Sequence, residues 1–72
     1  MPEIPLGAID RIIRKNSNSR VKVESSQALR AILEDIGSEI VVKASDLVRH
    51  RNQQVITKED IELAFSLFKE TF

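Results

Sequence analysis

The chain has 72 residues, with 11 basic and 11 acidic side chains, a single His, and no Cys, Trp or Tyr. Without Cys there are no disulfides or thiolate metal sites, and so few reactive side chains leave little from which to build catalysis; no enzyme activity, cofactor, metal or small-molecule substrate is expected. A chain this short folding alone hides only about 60% of its unfolded surface, so a partner chain is the remaining route to a stable core.

Pro5 suits the first turn of a helix, and Leu6, Ile9, Ile12 and Ile13 recur on one helical face, which predicts a short amphipathic helix from residue 5 to about residue 15. Asn16, Ser17, Asn18 and Ser19 end it, because their side chains compete for backbone hydrogen bonds. The β-leaning Arg20-Val21-Lys22-Val23 then has room only for a brief extended segment. From Glu24 to Arg51 there is neither Pro nor a turn cluster. Apolar residues at Leu29, Ile32, Leu33, Ile36, Ile40, Val41, Ala44, Leu47 and Val48 predict one long helix. At 1.5 Å per residue it is about 40 Å long, with an apolar stripe wide enough for more than one neighbour. Gly37, near its middle, is either a close crossing point for another helix or a tolerated glycine costing about 1 kcal/mol.

Asn52, Gln53 and Gln54 break the periodicity, and Val55-Ile56 form a second tiny extended piece. Thr57 is the expected N-cap of a third helix, with Asp60 as the capping-box acid and Glu59 favourable near the positive end of the dipole. Ile61, Ala64, Phe65 and Phe68 make one apolar face; Leu63, Leu67 and Phe72 add a second. Charge is polarised: residues 1–22 carry five basic against two acidic side chains, and residues 59–72 carry four acidic against one basic. With no repeat, low-complexity tract or linker, residues 1–72 read as a single domain without long tails. No apolar run reaches the roughly 20 residues of a membrane span and no signal-peptide order is present, so a cytoplasmic, membrane-free protein is expected.

Short helix, brief strand, long helix, brief strand, short helix is a distinctive order, and over essentially its whole length the sequence resembles the archaeal-type histones. The resemblance rests on Pro5-Leu6 with Ile9, Arg11-Ile12-Ile13, Arg20-Val21, Leu33-Glu34 with Gly37, Leu47 with Arg49-His50, and above all Glu59-Asp60-Ile61-Glu62-Leu63-Ala64, aligned without insertion or deletion. It implies an all-α histone fold with two very short loop strands, in an intertwined head-to-tail homodimer whose long helices cross near their middles. Leu29, Leu33, Ile36, Gly37 and Ile40 of the middle helix, with Ile61 and Phe65 of the third, are then the dimer core.

The resemblance further implies double-stranded DNA held along one edge of the dimer by the paired loops and the ends of the first helices, where unpaired N–H groups and the helix dipole accept phosphate. Arg11 matches a backbone-contacting position, Arg14 a nearby basic one, and Arg20 the loop arginine that enters the minor groove. Lys22 and Lys58 are the further basic candidates. The second loop departs from the family. Where relatives carry Arg-Lys-Thr and, one residue later, Lys, this chain has Gln53-Gln54-Val55 and Thr57. The expected clamp acid, Asp60, is present while the arginine at the partner position is not; Arg51 and Lys58 lie one or two positions away, candidates for partial compensation but not equivalents. Losing two phosphate-contacting lysines per chain lowers the salt slope of log affinity by about 3 to 4 per dimer, so weakened or differently routed DNA binding is expected.

His50 has three readings: a surface or packing residue, a metal ligand without companions, or, as the resemblance implies, a partner of Asp60 across a dimer–dimer interface that also uses Leu47. In the third reading a tetramer weakens with rising pH as imidazole loses its proton. Two functions remain in view. One is an architectural, sequence-nonspecific DNA-binding protein, chromosome-associated, that compacts, wraps or bridges DNA. The other is a histone-fold protein–protein interaction module with little DNA contact, favoured by the neutral net charge and the depleted second loop. A helix-turn-helix regulator fits poorly, because the central helix is too long for that motif.

Overall fold

The computed structural model describes residues 2–70. Three helices occur among them: α1, Leu6–Asn16; α2, Val23–His50; and α3, Lys58–Lys69. Phe72, expected on the second face of α3, lies outside the described residues.

Each boundary has a local cause. Pro5 is the N-cap of α1 rather than its first helical residue: its ring fixes φ at −60° while ψ is extended at 134°, and its carbonyl accepts from the Ala8 and Ile9 N–H groups. At the other end the Asn16 amide donates to the Ile12 carbonyl at 2.8 Å and the Ser19 N–H to the Ser17 hydroxyl at 3.1 Å, so side chains take over where the helical ladder stops. The α2 helix ends in a Schellman motif: Gln53 N–H reaches the Val48 carbonyl and Asn52 N–H the Arg49 carbonyl, each at 3.0 Å. This motif needs a left-handed residue, supplied by Asn52 at φ 57°, since Asn tolerates that region better than other side chains. The third helix starts with a reciprocal capping box, Thr57 accepting from the Asp60 N–H and Asp60 accepting from the Thr57 N–H.

The two brief strands are not formed among the described residues: Val23 has joined α2, whose first turn donates the Ser25 and Ser26 N–H groups to the Lys22 carbonyl, and Arg20–Val21 and Val55–Ile56 run without a strand partner. A strand is a pairing, and neither segment finds one inside its own chain.

The described chain divides into two units, one running to Asp35 and the other from Ile36, so α2 contributes one half to each. In the first unit Ile9 and Ser26 are buried, and a groove runs between Leu6, Gly7, Asp10 and Arg14 on α1 and Val21 in the following loop with Val23 and Ser26 at the start of α2. In the second, Ala44 and Val48 on α2 and Ala64 and Phe68 on α3 are buried; their four-residue spacings make one stripe on each helix, and the two alanines permit close approach. These cores are small. Among the described residues Ile32, Val41, Val42 and Leu63 are 47% to 62% exposed, and Phe65 is 43% exposed with Lys69 Nζ 5.2 Å above its ring. No helix of the described chain is long and apolar enough to cross a membrane.

Candidate nucleic-acid interface

The first unit carries all but one of the basic side chains expected to meet DNA, Lys58 lying in the second. Arg11, on α1, and Arg20 and Lys22, in the loop before α2, are exposed, and among the described residues no acid pairs with them. Arg14 differs: its Nε lies 2.8 Å from Asp10 Oδ2 one turn earlier, an exposed i,i+4 pair that offsets part of its charge. No side chain caps the N-terminus of α1; the Pro5 carbonyl takes the Ala8 N–H, and the Leu6 and Gly7 N–H groups have no partner among the described residues.

The entry to α1 is fixed from a distance in sequence. Glu34 Oε2, on α2, accepts the backbone N–H of Glu3 at 2.5 Å and of Ile4 at 2.8 Å. These two amides, Ile4's foremost, hold the Glu34 carboxyl below its ordinary range, with Arg30 adding attraction and burial opposing. Nothing in the sequence pattern marks this contact, because Glu34 lies 30 residues from its nearer partner.

In the second unit the acid clamp is present, contrary to the sequence-based expectation that its arginine is missing. Arg51 Nη1 meets Asp60 Oδ1 at 2.5 Å and Nη2 meets Oδ2 at 2.9 Å, a bidentate fork. The reason is geometric. The Schellman turn puts Arg51 at the C-cap of α2, from which its side chain spans the loop to the first turn of α3. Asp60 Oδ2 also accepts from the Thr57 N–H and hydroxyl, so one buried carboxylate holds an arginine, caps a helix and anchors the loop. The Arg51 guanidinium, then the Thr57 amide, hold the Asp60 carboxyl well below the usual carboxylate range, and the pair raises Arg51 in return.

Gln53, Gln54 and Val55 are exposed and leave that loop uncharged at its tip, while Lys58 Nζ sits 3.7 Å from Glu62, a screened surface pair. A second groove is lined by Val41, Val42, Ser45, Val48, Gln54 and Ile56. The expected dimer-core residues are only partly covered by their own chain: Leu29, Ile36 and Ile40 are half-buried, whereas Leu33, Ile61 and Phe65 are 36% to 43% exposed. Gly37 is exposed, and a Cβ placed there would meet nothing within 4 Å. Leu47 is half-buried and His50 exposed. The His50 Nδ1 lies 2.8 Å from the Asp46 carbonyl; a carbonyl only accepts, so this nitrogen carries the proton and Nε2 is left as the acceptor. Arg49 also pairs with Asp46. Among the described residues no three His, Cys, Asp or Glu side chains are grouped so as to hold a metal.

Comparison with known proteins agrees with this geometry. Residues 2–65 match the family described as histone-like transcription factor (CBF/NF-Y) and archaeal histone. The chain is 38% identical over 64 residues to the archaeal histone HAN1 of Thermococcus zilligii, covering 89% of this chain and 96% of that one. It is 31% identical over 64 residues to probable archaeal histone 3 of Methanocaldococcus jannaschii, with the same coverage. With that span matched, a three-helix architecture and the acid clamp in place, the chain belongs to the archaeal histone branch of the histone-like family.

Proposed function

We propose that the protein is an architectural DNA-binding protein that packages chromosomal DNA without reading its sequence, as a head-to-tail homodimer able to join into tetramers. The observation that carries the DNA reading is the set Arg11, Arg20 and Lys22, exposed and, among the described residues, without an acid partner, in the unit that also holds the uncapped α1 N-terminus. Phosphate is the ligand such a set fits, and an arginine in a narrow minor groove demands no particular base. Arg14 and Lys58 take part more weakly, since each shares its charge with a neighbouring acid.

Dimerisation is supported by what the chain leaves uncovered. Leu33, Ile61 and Phe65 stay exposed within one chain and are natural places for a second copy to cover, with its α2 crossing at Gly37 and its loops pairing with those of this chain as strands. For the dimer–dimer contact, His50 is exposed and Leu47, one turn earlier on α2, is half-buried. Asp60, the other expected member of that contact, is buried and held by the Arg51 fork within its own chain, so His50 and Leu47 are the accessible members.

The second reading, a protein–protein interaction module, is favoured by the uncharged tip Gln53-Gln54-Val55. A gel-shift titration with a random-sequence duplex separates the two. Micromolar, salt-sensitive binding is the expected result, and absence of binding at low salt overturns the DNA reading. Light scattering on the same samples is expected to give at least dimer mass, with a tetramer fraction that is lost in His50→Ala. A tetramer indifferent to that substitution removes His50 from the contact.

A further inference from the structure

We propose that Glu34 is a positioning residue for DNA binding, its carboxylate fixing the chain that enters α1 and hence the direction in which the first-turn amides and Arg11 are presented. The inference rests on the DNA reading above. Residues 3 and 4 precede α1 and belong to no helix or strand, and Pro5 offers the helix no side-chain cap. Glu34 Oε2 takes both of their N–H groups, at 2.5 and 2.8 Å, from the middle of α2. Hydrogen bonds to an ionised carboxylate are about twice as strong as neutral ones, so the segment is tied to the one helix that runs through both units. Amides presented to a phosphate contribute fully only when their direction is set before the ligand arrives.

The proposal opposes simple electrostatics in sign. A carboxylate in the DNA-binding unit repels phosphate, so by charge alone its removal tightens binding. As a positioning residue, its removal weakens binding. Glu34→Gln separates the two effects, since the amide keeps an oxygen able to accept both N–H groups while discarding the charge.

The test is duplex affinity across a salt series for the wild type, Glu34→Ala and Glu34→Gln, all as the full chain. Ala is the best helix former, so α2 itself is not weakened by the first variant. The expected result is roughly tenfold weaker binding by Glu34→Ala at fixed salt. Its salt slope should be shallower by about 2, one lost phosphate contact per chain of a dimer. Glu34→Gln should bind as tightly as the wild type or more so. Equal or tighter binding by Glu34→Ala overturns the proposal, and so does Glu34→Gln falling to the level of Glu34→Ala. A wild type that binds no duplex at low salt sinks the DNA reading itself, a distinct outcome.

Discussion

Replacing Arg51 by Ala is expected to lower the thermal midpoint on the order of 10 °C, because the substitution strands a buried carboxylate. Asp60 is 2% exposed, and both of its oxygens are held by the Arg51 fork. Without the guanidinium, Oδ2 keeps its Thr57 donors and Oδ1 keeps none among those described. Half of the Arg51 side chain faces solvent, which screens the pair and limits its contribution below that of a fully enclosed bridge. The acid response follows from the same contact. Asp60 is depressed in the folded chain, so its contribution is complete at neutral pH, begins to fall as the pH drops through about 4, and is gone below the folded value. Melting curves between pH 7 and pH 2 check both points: the wild type should lose stability more steeply below about pH 4 than Arg51→Ala does. A variant with the wild-type midpoint and the same acid limb would show the fork to be energetically idle.

The double substitution Arg11→Ala and Arg20→Ala should reduce the salt slope of duplex binding by about 3 to 4, since it removes four phosphate or groove contacts from a dimer. At moderate salt the accompanying loss of affinity is roughly 100-fold or more. Arg14→Ala should cost less than either arginine, its guanidinium being already engaged by Asp10. The complement is a gain: Gln53→Lys with Gln54→Lys restores charge to an exposed loop and should steepen the slope by a similar amount. Salt-series titrations of these variants map the DNA path directly. Should the double arginine variant keep the wild-type slope, the duplex follows another surface.

Much of the fold is legible in the sequence because its signals are local. Helical periodicity, the Asn-Ser cluster and the Thr57-to-Asp60 spacing place α1 and α2 within a residue of their observed ends and α3 at its observed start. The exceptions also have local causes. Pro5 stays outside the helix because its ψ is extended, and the brief strands need a second backbone. The acid clamp escapes the sequence because matching by position asks which residue occupies a slot, whereas the fork asks which side chain reaches Asp60. Arg51 reaches it from the end of α2 because Asn52 turns the chain there. The tie from Glu34 to the segment before α1 is invisible for a different reason. Its acceptor is a side chain, but its donors are main-chain groups that every sequence possesses.

Gly37 gives the molecule an internal reporter. Within one chain there is open space where its Cβ would stand, so alanine there should favour the isolated chain by about 1 kcal/mol through helix propensity alone. If a neighbouring backbone passes over that point in the assembled protein, the same methyl group collides, and one substitution carries opposite signs in separated and associated molecules. Melting Gly37→Ala over a range of protein concentrations would make that reversal visible, turning the smallest side chain in the long helix into a gauge of association.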